Sequence, residues 1–230
     1  IQDTAYQSML SSRRAEVHGK VADVLHEYFP EDLERRPEVI AYHYLQAERS
    51  PLALDYYEKA AKRTLARSNY VEGINHLKQA LNIIEAMPES SQRDEREVGI
   101  QSALGGAMIA TRGFAAPETG ETFERAASLY KRIEGDTSRF NPVRYGVWVF
   151  HLVRSEFDIA LERAEEFIKV AENQENPTEH LVAYRTMGVC QTFMGRWSTA
   201  IEYFDKALSL YDRELHGTLA VSYAQDPRIS

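Results

Sequence analysis

Apolar residues return along this chain every three and four positions, and no stretch alternates apolar with polar residues as a half-buried strand would. From Tyr6 onward Met9, Leu10, Val17, Val21, Val24, Leu25 and Tyr28 form one stripe, which predicts a helix ended by Phe29-Pro30. A second helix opens at Pro37, where the missing N–H removes no helical bond, and turns Ile40, Ala41, Tyr44 and Leu45 inward. Ser50-Pro51 predicts the next start, with Ser50 as N-cap and Pro51 at the first helical position, and the helix runs to Arg67. Ser68-Asn69 turns tightly into a helix from Tyr70 to Met87. Ser91, followed three residues later by Asp94, reads as a cap for a long helix ending near Ile109. After a loop from Arg112 to Pro117, a helix runs from Pro117 to Ile133. Beyond the break from Gly135 to Pro142, a helix carries Tyr145, Trp148 and Phe150. The polar loop Asn173 to Thr178 precedes a last pair, Leu181 to Met194 and Ser198 to Tyr211. The fold class expected is all-α.

A register of small residues runs through these helices. Gly188, Ala200, Phe204 and Ala207 are spaced twelve, four and three residues apart, and the same offsets recur as Ala41, Ala53, Tyr57, Ala60, as Ala61, Gly73, Leu77, Ala80, and as Ala107, Thr119, Phe123, Ala126. A small residue on one helix facing a small residue on the next lets two backbones approach closely, and the aromatic one turn later fills the wedge. The helix from Pro51 to Arg67 serves two registers, Ala53, Tyr57 and Ala60 for one and Ala61 and Thr64 for the next. A further copy reads Trp148, Ala160, Ala164, Phe167, with a bulky residue where a small one is expected, so that repeat must pack differently. The architecture predicted is an α-solenoid of antiparallel helix pairs.

At 230 residues and 43% hydrophobic, the chain can bury roughly 70–75% of its unfolded surface, enough to fold without metal or disulfide. Its one cysteine, Cys190, cannot pair within the chain and falls in an apolar helical stretch, as suits a reducing, cytoplasmic compartment. A net charge of -8 argues against nucleic acid, whose phosphates demand clustered Lys and Arg, and the pairs Arg13-Arg14 and Arg35-Arg36 are too short to reverse that. No apolar run is long enough for a bilayer, and Ile1 to Leu10 lack the basic and apolar regions of a signal peptide. A start at Ile1 and an end at Ser230, just past a loop-like Tyr223 to Pro227, read as a fragment of a longer protein.

Candidate chemistry is sparse. There is no G-x-x-x-x-G-K-[ST] phosphate loop, and Gly105-Gly106 sits inside a helical pattern with no following Lys. The seven histidines, His18, His26, His43, His76, His151, His180 and His216, show no H-x-x-x-H or H-E-x-x-H spacing. Carboxylate pairs such as Glu31-Asp32 and Glu165-Glu166 lie among charged neighbours, where they solubilise helix surfaces. No catalytic residue and no cofactor is expected.

Tyr184, Met187, Gly188, Ala200, Phe204 and Ala207, with the turn Gly195-Arg196-Trp197, resemble the tetratricopeptide repeat, a 34-residue helix-turn-helix. Tyr57 to Ala80 and Ala103 to Ala126 match it in part, and Arg144 to Phe167 departs at Trp148 and Phe167. The resemblance implies a right-handed superhelix whose concave face is lined by the first helix of each pair. Carried onto this chain it marks Tyr42, Gln101, Met108, Tyr145, Val149, Arg185 and Val189 as a partner-binding groove, with Met108 adaptable and Tyr145 and Arg185 as anchors for a peptide or amphipathic helix.

Ile1 to Leu10, with Arg13-Arg14 and His18, resembles the segment after the ATPase core of bacterial STAND-type signalling ATPases. Gly113 to Glu118, Gly146 to Arg154 and Tyr223 to Pro227 resemble that family's repeat region. Many such proteins carry a class III adenylate or guanylate cyclase domain, others a transcription-activator domain. The resemblance implies an N-terminal segment, 1–36, continuing an upstream ATPase-associated region, followed by helical repeats over 37–230. It also implies a regulatory arm whose partners are proteins, peptides or other domains of the parent. The alternative it carries is a small-molecule sensor, with an effector held against Tyr145, Trp148 and Phe150.

Overall fold

In the computed structural model, which describes residues 10–135, 138–174 and 176–212, the described residues form eleven α-helices and one 3-10 turn, with no strand among them. The helices are α1 (Ser11–Tyr28), α2 (Pro30–Arg35), α3 (Pro37–Gln46), α4 (Ser50–Ala66), α5 (Tyr70–Glu85), α6 (Ser91–Arg112), α7 (Pro117–Tyr130), α8 (Asn141–Val153), α9 (Phe157–Glu172), α10 (Pro177–Phe193) and α11 (Trp197–Leu210). The chain divides into two compact units, Ile1–Arg93 and Asp94–Ser230. In the first, α1 packs on α3, α3 on α4 and α4 on α5. Residues 10–36 share a compact unit with the helices that follow them. In the second unit α7 packs on α8, α8 on α9, α9 on α10 and α10 on α11.

The small-residue register forms the helix contacts. Ala41, Ala53, Ala60, Ala80, Ala126 and Ala200 are all buried. A methyl group on Gly188 would stand 2.7 Å from the Phe204 ring, so the glycine is the space the ring occupies. Trp148 breaks the register toward α9, while on the side toward α7 the chain keeps a small residue: the Phe123 ring of α7 lies against Gly146 of α8 and against Gly105 of α6. The ring of Phe150 in turn lies over Gly120 of α7, so α7 and α8 exchange one phenyl ring for one glycine in each direction.

Four turns share one geometry that the apolar pattern does not announce. Glu48, Ser68, Ser155 and Gly195 have φ of 59°, 57°, 62° and 73°. In each case the next residue's N–H reaches back five positions, Arg49 to Tyr44 O, Asn69 to Thr64 O, Glu156 to His151 O and Arg196 to Gln191 O, at 2.8–3.0 Å. This is the Schellman closure, and only one of the four turns uses glycine. A left-handed non-glycine residue costs roughly 1–2 kcal/mol, partly offset by the chain entropy a glycine would add to the unfolded state. Ser155→Gly is therefore expected to raise the unfolding free energy by about 0.5–1 kcal/mol, read by urea titration; a loss would show that Ser155 makes a compensating contact.

Several expected boundaries move. Ser50 is the first helical residue of α4 and not its cap; Arg49 precedes it, and its side chain is engaged with Asp23 of α1. The long helix α6 is capped by Ser90, whose Oγ accepts from the Arg93 N–H at 3.1 Å, and not by Ser91. Asp94 is instead buried and ion-paired with Arg132 at 2.9 Å. α6 extends to Arg112 and α7 stops at Tyr130. α2 appears where only a break was expected, because Pro30 at its start and Glu31 and Asp32 in its first turn favour a helix N-terminus. α10 begins at Pro177 with the Asn176 side chain accepting from the Thr178 N–H at 3.0 Å, earlier than Leu181. The stretches Ile1 to Met9 and Tyr223 to Pro227, on which part of the wider resemblance rests, lie outside the described residues.

Candidate protein-interaction surface

Two of the predicted groove positions, Tyr145 and Val149, lie on α8, and two more, Arg185 and Val189, on α10. α8 is buried on nearly every side, because Val143, Val147, Trp148 and Leu152 interleave with Tyr145 and Val149. One core cluster joins Tyr145, Trp148 and Val149 to Ala160, Ala164 and Phe167 of α9 and to Leu181, Met187 and Cys190 of α10, with Val189 half-buried at its edge. Trp148 Nε1 donates to Cys190 Sγ at 3.1 Å. Burial pushes the Cys190 thiol above its ordinary range, with the indole bond opposing. Arg185 Nη1 donates to the Tyr145 hydroxyl at 3.4 Å, and both residues are buried.

Tyr145 and Arg185 were expected as exposed anchors; they are instead bonded to one another inside the second unit, where a buried guanidinium needs hydrogen-bond partners. Met108, expected as an adaptable groove residue, is also buried, its sulfur 3.5 Å from the Thr122 hydroxyl, so it fills the core. Gln101 and Val189 are half-buried. Tyr42 alone of the seven is exposed, with His18 edge-on to its ring at 5.5 Å.

A second buried polar set escaped the sequence reading. Asn141 donates to the Glu179 carboxylate, and Arg144 Nη1 donates to Asn141 Oδ1 at 2.7 Å while its guanidinium lies 4.5 Å from the Tyr130 ring centroid. The available signal was a pair of opposite charges in the opening turns of α8 and α10, which a loop assignment at Pro142 and Thr178 concealed. The expected effector position does not form one cavity either. Tyr145 and Trp148 face the core cluster, whereas Phe150 lies over Gly120.

In the first unit His18 Nδ1 and His43 Nδ1 are 2.8 Å apart across α1 and α3. Burial, then the nearby His18, lowers the His43 pKa from 6.5. As pH falls below about 6.5 the unfolded chain takes up this proton before the folded chain does, so stability falls. Between about pH 7.5 and 5.5 the melting temperature of His43→Gln is expected to fall less than that of the parent chain; equal slopes would rule out the pair as the cause.

The second unit does present an apolar face. Trp197, Ile201 and Leu208 of α11 are 63%, 60% and 70% exposed, and Phe193 at the end of α10 is 60% exposed, stacked on Phe157 at 5.9 Å. Positions 197, 201 and 208 fall on one side of the helix, which makes this face a candidate interaction surface. Among the described residues no group of three or more His, Cys, Asp and Glu is placed to hold a metal ion, and no helix is long and apolar enough to cross a membrane.

Antiparallel helix pairs, the Gly–Phe wedges and the repeated turn define an all-α, tetratricopeptide-like solenoid fold. Solved structures share it. BtubC (BKLC) from P. vanneervenii superposes with a TM-score of 0.62 at 15% identity, over 92% of this chain and 94% of that one. A putative kinesin light chain from Podosopora anserina, with nearly identical TPR-like repeats, gives 0.62 at 16% identity, over 87% of this chain and 96% of that one. MamA gives 0.54 at 17% identity, over 76% and 89%. In sequence, the chain is 23% identical over 218 residues to an uncharacterized protein of Rhizobium meliloti (strain 1021), covering 93% of this chain and 21% of that protein. It thus spans about a fifth of the length of the curated relative it matches. No family model matches the chain.

Proposed function

We propose that this chain is a non-catalytic protein-interaction and regulatory module of a multidomain bacterial signalling ATPase of the STAND type, the kind often joined to a class III adenylate or guanylate cyclase. The observation that carries the interaction reading is the exposed stripe Trp197, Ile201 and Leu208 on α11. Partner protein, or another domain of the parent, seats on that face. Tyr42 of the first unit and, separately, Gln101 and Val189 of the second keep exposed surface for a partner, while Met108, Tyr145, Val149 and Arg185 are buried within the second unit. Length supports the multidomain context, since the chain matches about a fifth of its curated relative. The resemblance of residues 1–10 to the segment after an ATPase core supports the choice of parent, and a single buried cysteine suits the cytoplasm. A net charge of -8 favours protein over nucleic acid as the partner.

A partner shifts the parent's switch only through its differential affinity for the two states. Trp197→Asp with Ile201→Asp, made in the full-length parent, is expected to change ATP turnover by about fivefold or more, the usual scale of coupling between sites. Unchanged turnover, with the variant folded by circular dichroism, would contradict a regulatory role for this face.

A further inference from the structure

A cleft of 430 Å³ opens within the first unit, where α1, α2 and α3 meet one side of α4. Its volume lies in the range of small-molecule sites. One wall is apolar and stiff: Pro30 and Pro37 each open a helix, and Leu33 is buried between them. The opposite wall is cationic. Lys59 and Arg63 are four residues apart on α4, so both project from the same side of the helix into the cleft.

Like charges at that spacing repel, and a chain with 35 acidic residues has ample means to neutralise them. Among the described residues neither side chain is ion-paired. Lys59 Nζ rests 4.5 Å from the Tyr56 ring centroid, and Glu34, which also lines the cleft, is exposed and makes no ion pair with either cation. The Tyr56 hydroxyl and His26 Nδ1, 3.2 Å apart, add a hydrogen-bonding pair to the same cleft.

We propose that this cleft binds a small organic anion, its phosphate or carboxylate head held by Lys59 and Arg63 and its apolar body laid against Pro30, Leu33 and Pro37. The anion relieves the repulsion between the two cations, and charge-assisted hydrogen bonds give it orientation. The volume and the rigid apolar wall favour a small molecule over an acidic peptide. This site lies wholly within the first unit and does not depend on the α11 face, so either reading can fail without the other.

The test is calorimetric titration of the 230-residue chain with phenyl phosphate, benzoate and the neutral benzamide. One or both anions bind and benzamide does not, and the stronger anion identifies the head group. Lys59→Gln with Arg63→Gln weakens binding by at least about tenfold, and amide chemical-shift changes fall on α2 and α4. Lys59→Gln alone, at an exposed position, serves if the double variant fails to fold. The proposal is overturned if neither anion binds, if benzamide binds equally, if the variants bind as the parent does, or if only an acidic peptide shifts these resonances.

Discussion

Phe123→Ala is expected to lower the unfolding free energy by about 3–5 kcal/mol, measured by urea titration followed by far-ultraviolet circular dichroism. The ring stands between Gly105 of α6 and Gly146 of α8 and belongs to α7, so its removal opens one void bounded by three helices. Two glycines already bring the backbones as close as the ring permits, and the site has little freedom to collapse around the loss. Gly146→Leu attacks the same contact from the opposite side by overpacking, at about 1–3 kcal/mol or more. Because the two changes share a contact they should not add, and the double variant should be less unstable than the sum. A loss below about 1 kcal/mol for Phe123→Ala would mean that the ring is not the wedge.

Trp148→Ala is the second large expectation, again about 3–5 kcal/mol. The indole is 2% exposed, packs against Tyr145 at 5.2 Å between centroids and donates to Cys190. Trp148→Phe separates the two contributions: it keeps most of the packing and removes the bond to sulfur, and should cost about 1 kcal/mol. It also frees Cys190 of the indole contact, so alkylation of the native thiol should remain slow if burial is what protects it. If Trp148→Ala cost no more than Trp148→Phe, packing would contribute nothing there, contrary to the cluster around it.

Much of this fold was legible in the residues. Small side chains at fixed intervals are required wherever two helices approach closely, so Ala41 with Ala53, or Gly188 with Ala200, declare both the contact and the helices that make it. The departure at Trp148 was visible as well, but the contact of Gly146 with α7 was not, since that glycine has meaning only once the Phe123 ring is placed. Two of the four turns were legible, Gly195 through its glycine and Ser68 through the Ser-Asn pair, whereas Glu48 and Ser155 adopt the same left-handed conformation with side chains that give no warning. Ser90 and Ser91 are adjacent and chemically alike, and only the direction of the Arg93 N–H decides between them.

The candidate site was less legible than the fold. Register tells which side of a helix faces its neighbour, but not whether that side is then covered. Tyr145 and Arg185 have the chemistry of anchors and the positions of core residues, and their mutual hydrogen bond becomes visible only when α8 and α10 are brought together. The apolar stripe Trp197, Ile201 and Leu208 was missed, because Trp197 was placed in the turn before α11 and the helix was read only through its small residues Ala200 and Ala207. Lys59 and Arg63 carry no signal in the sequence, because the cleft they line exists only once α2 supplies the facing wall.

Translation of the coding DNA on both sides of this chain tests most directly the proposal that it is a regulatory arm. A G-x-x-x-x-G-K-[ST] phosphate loop in an upstream ATPase core is the expected result, with or without a cyclase domain. Flanking sequence with no such loop, or stop codons on both sides, would contradict that role and leave a free-standing helical-repeat scaffold.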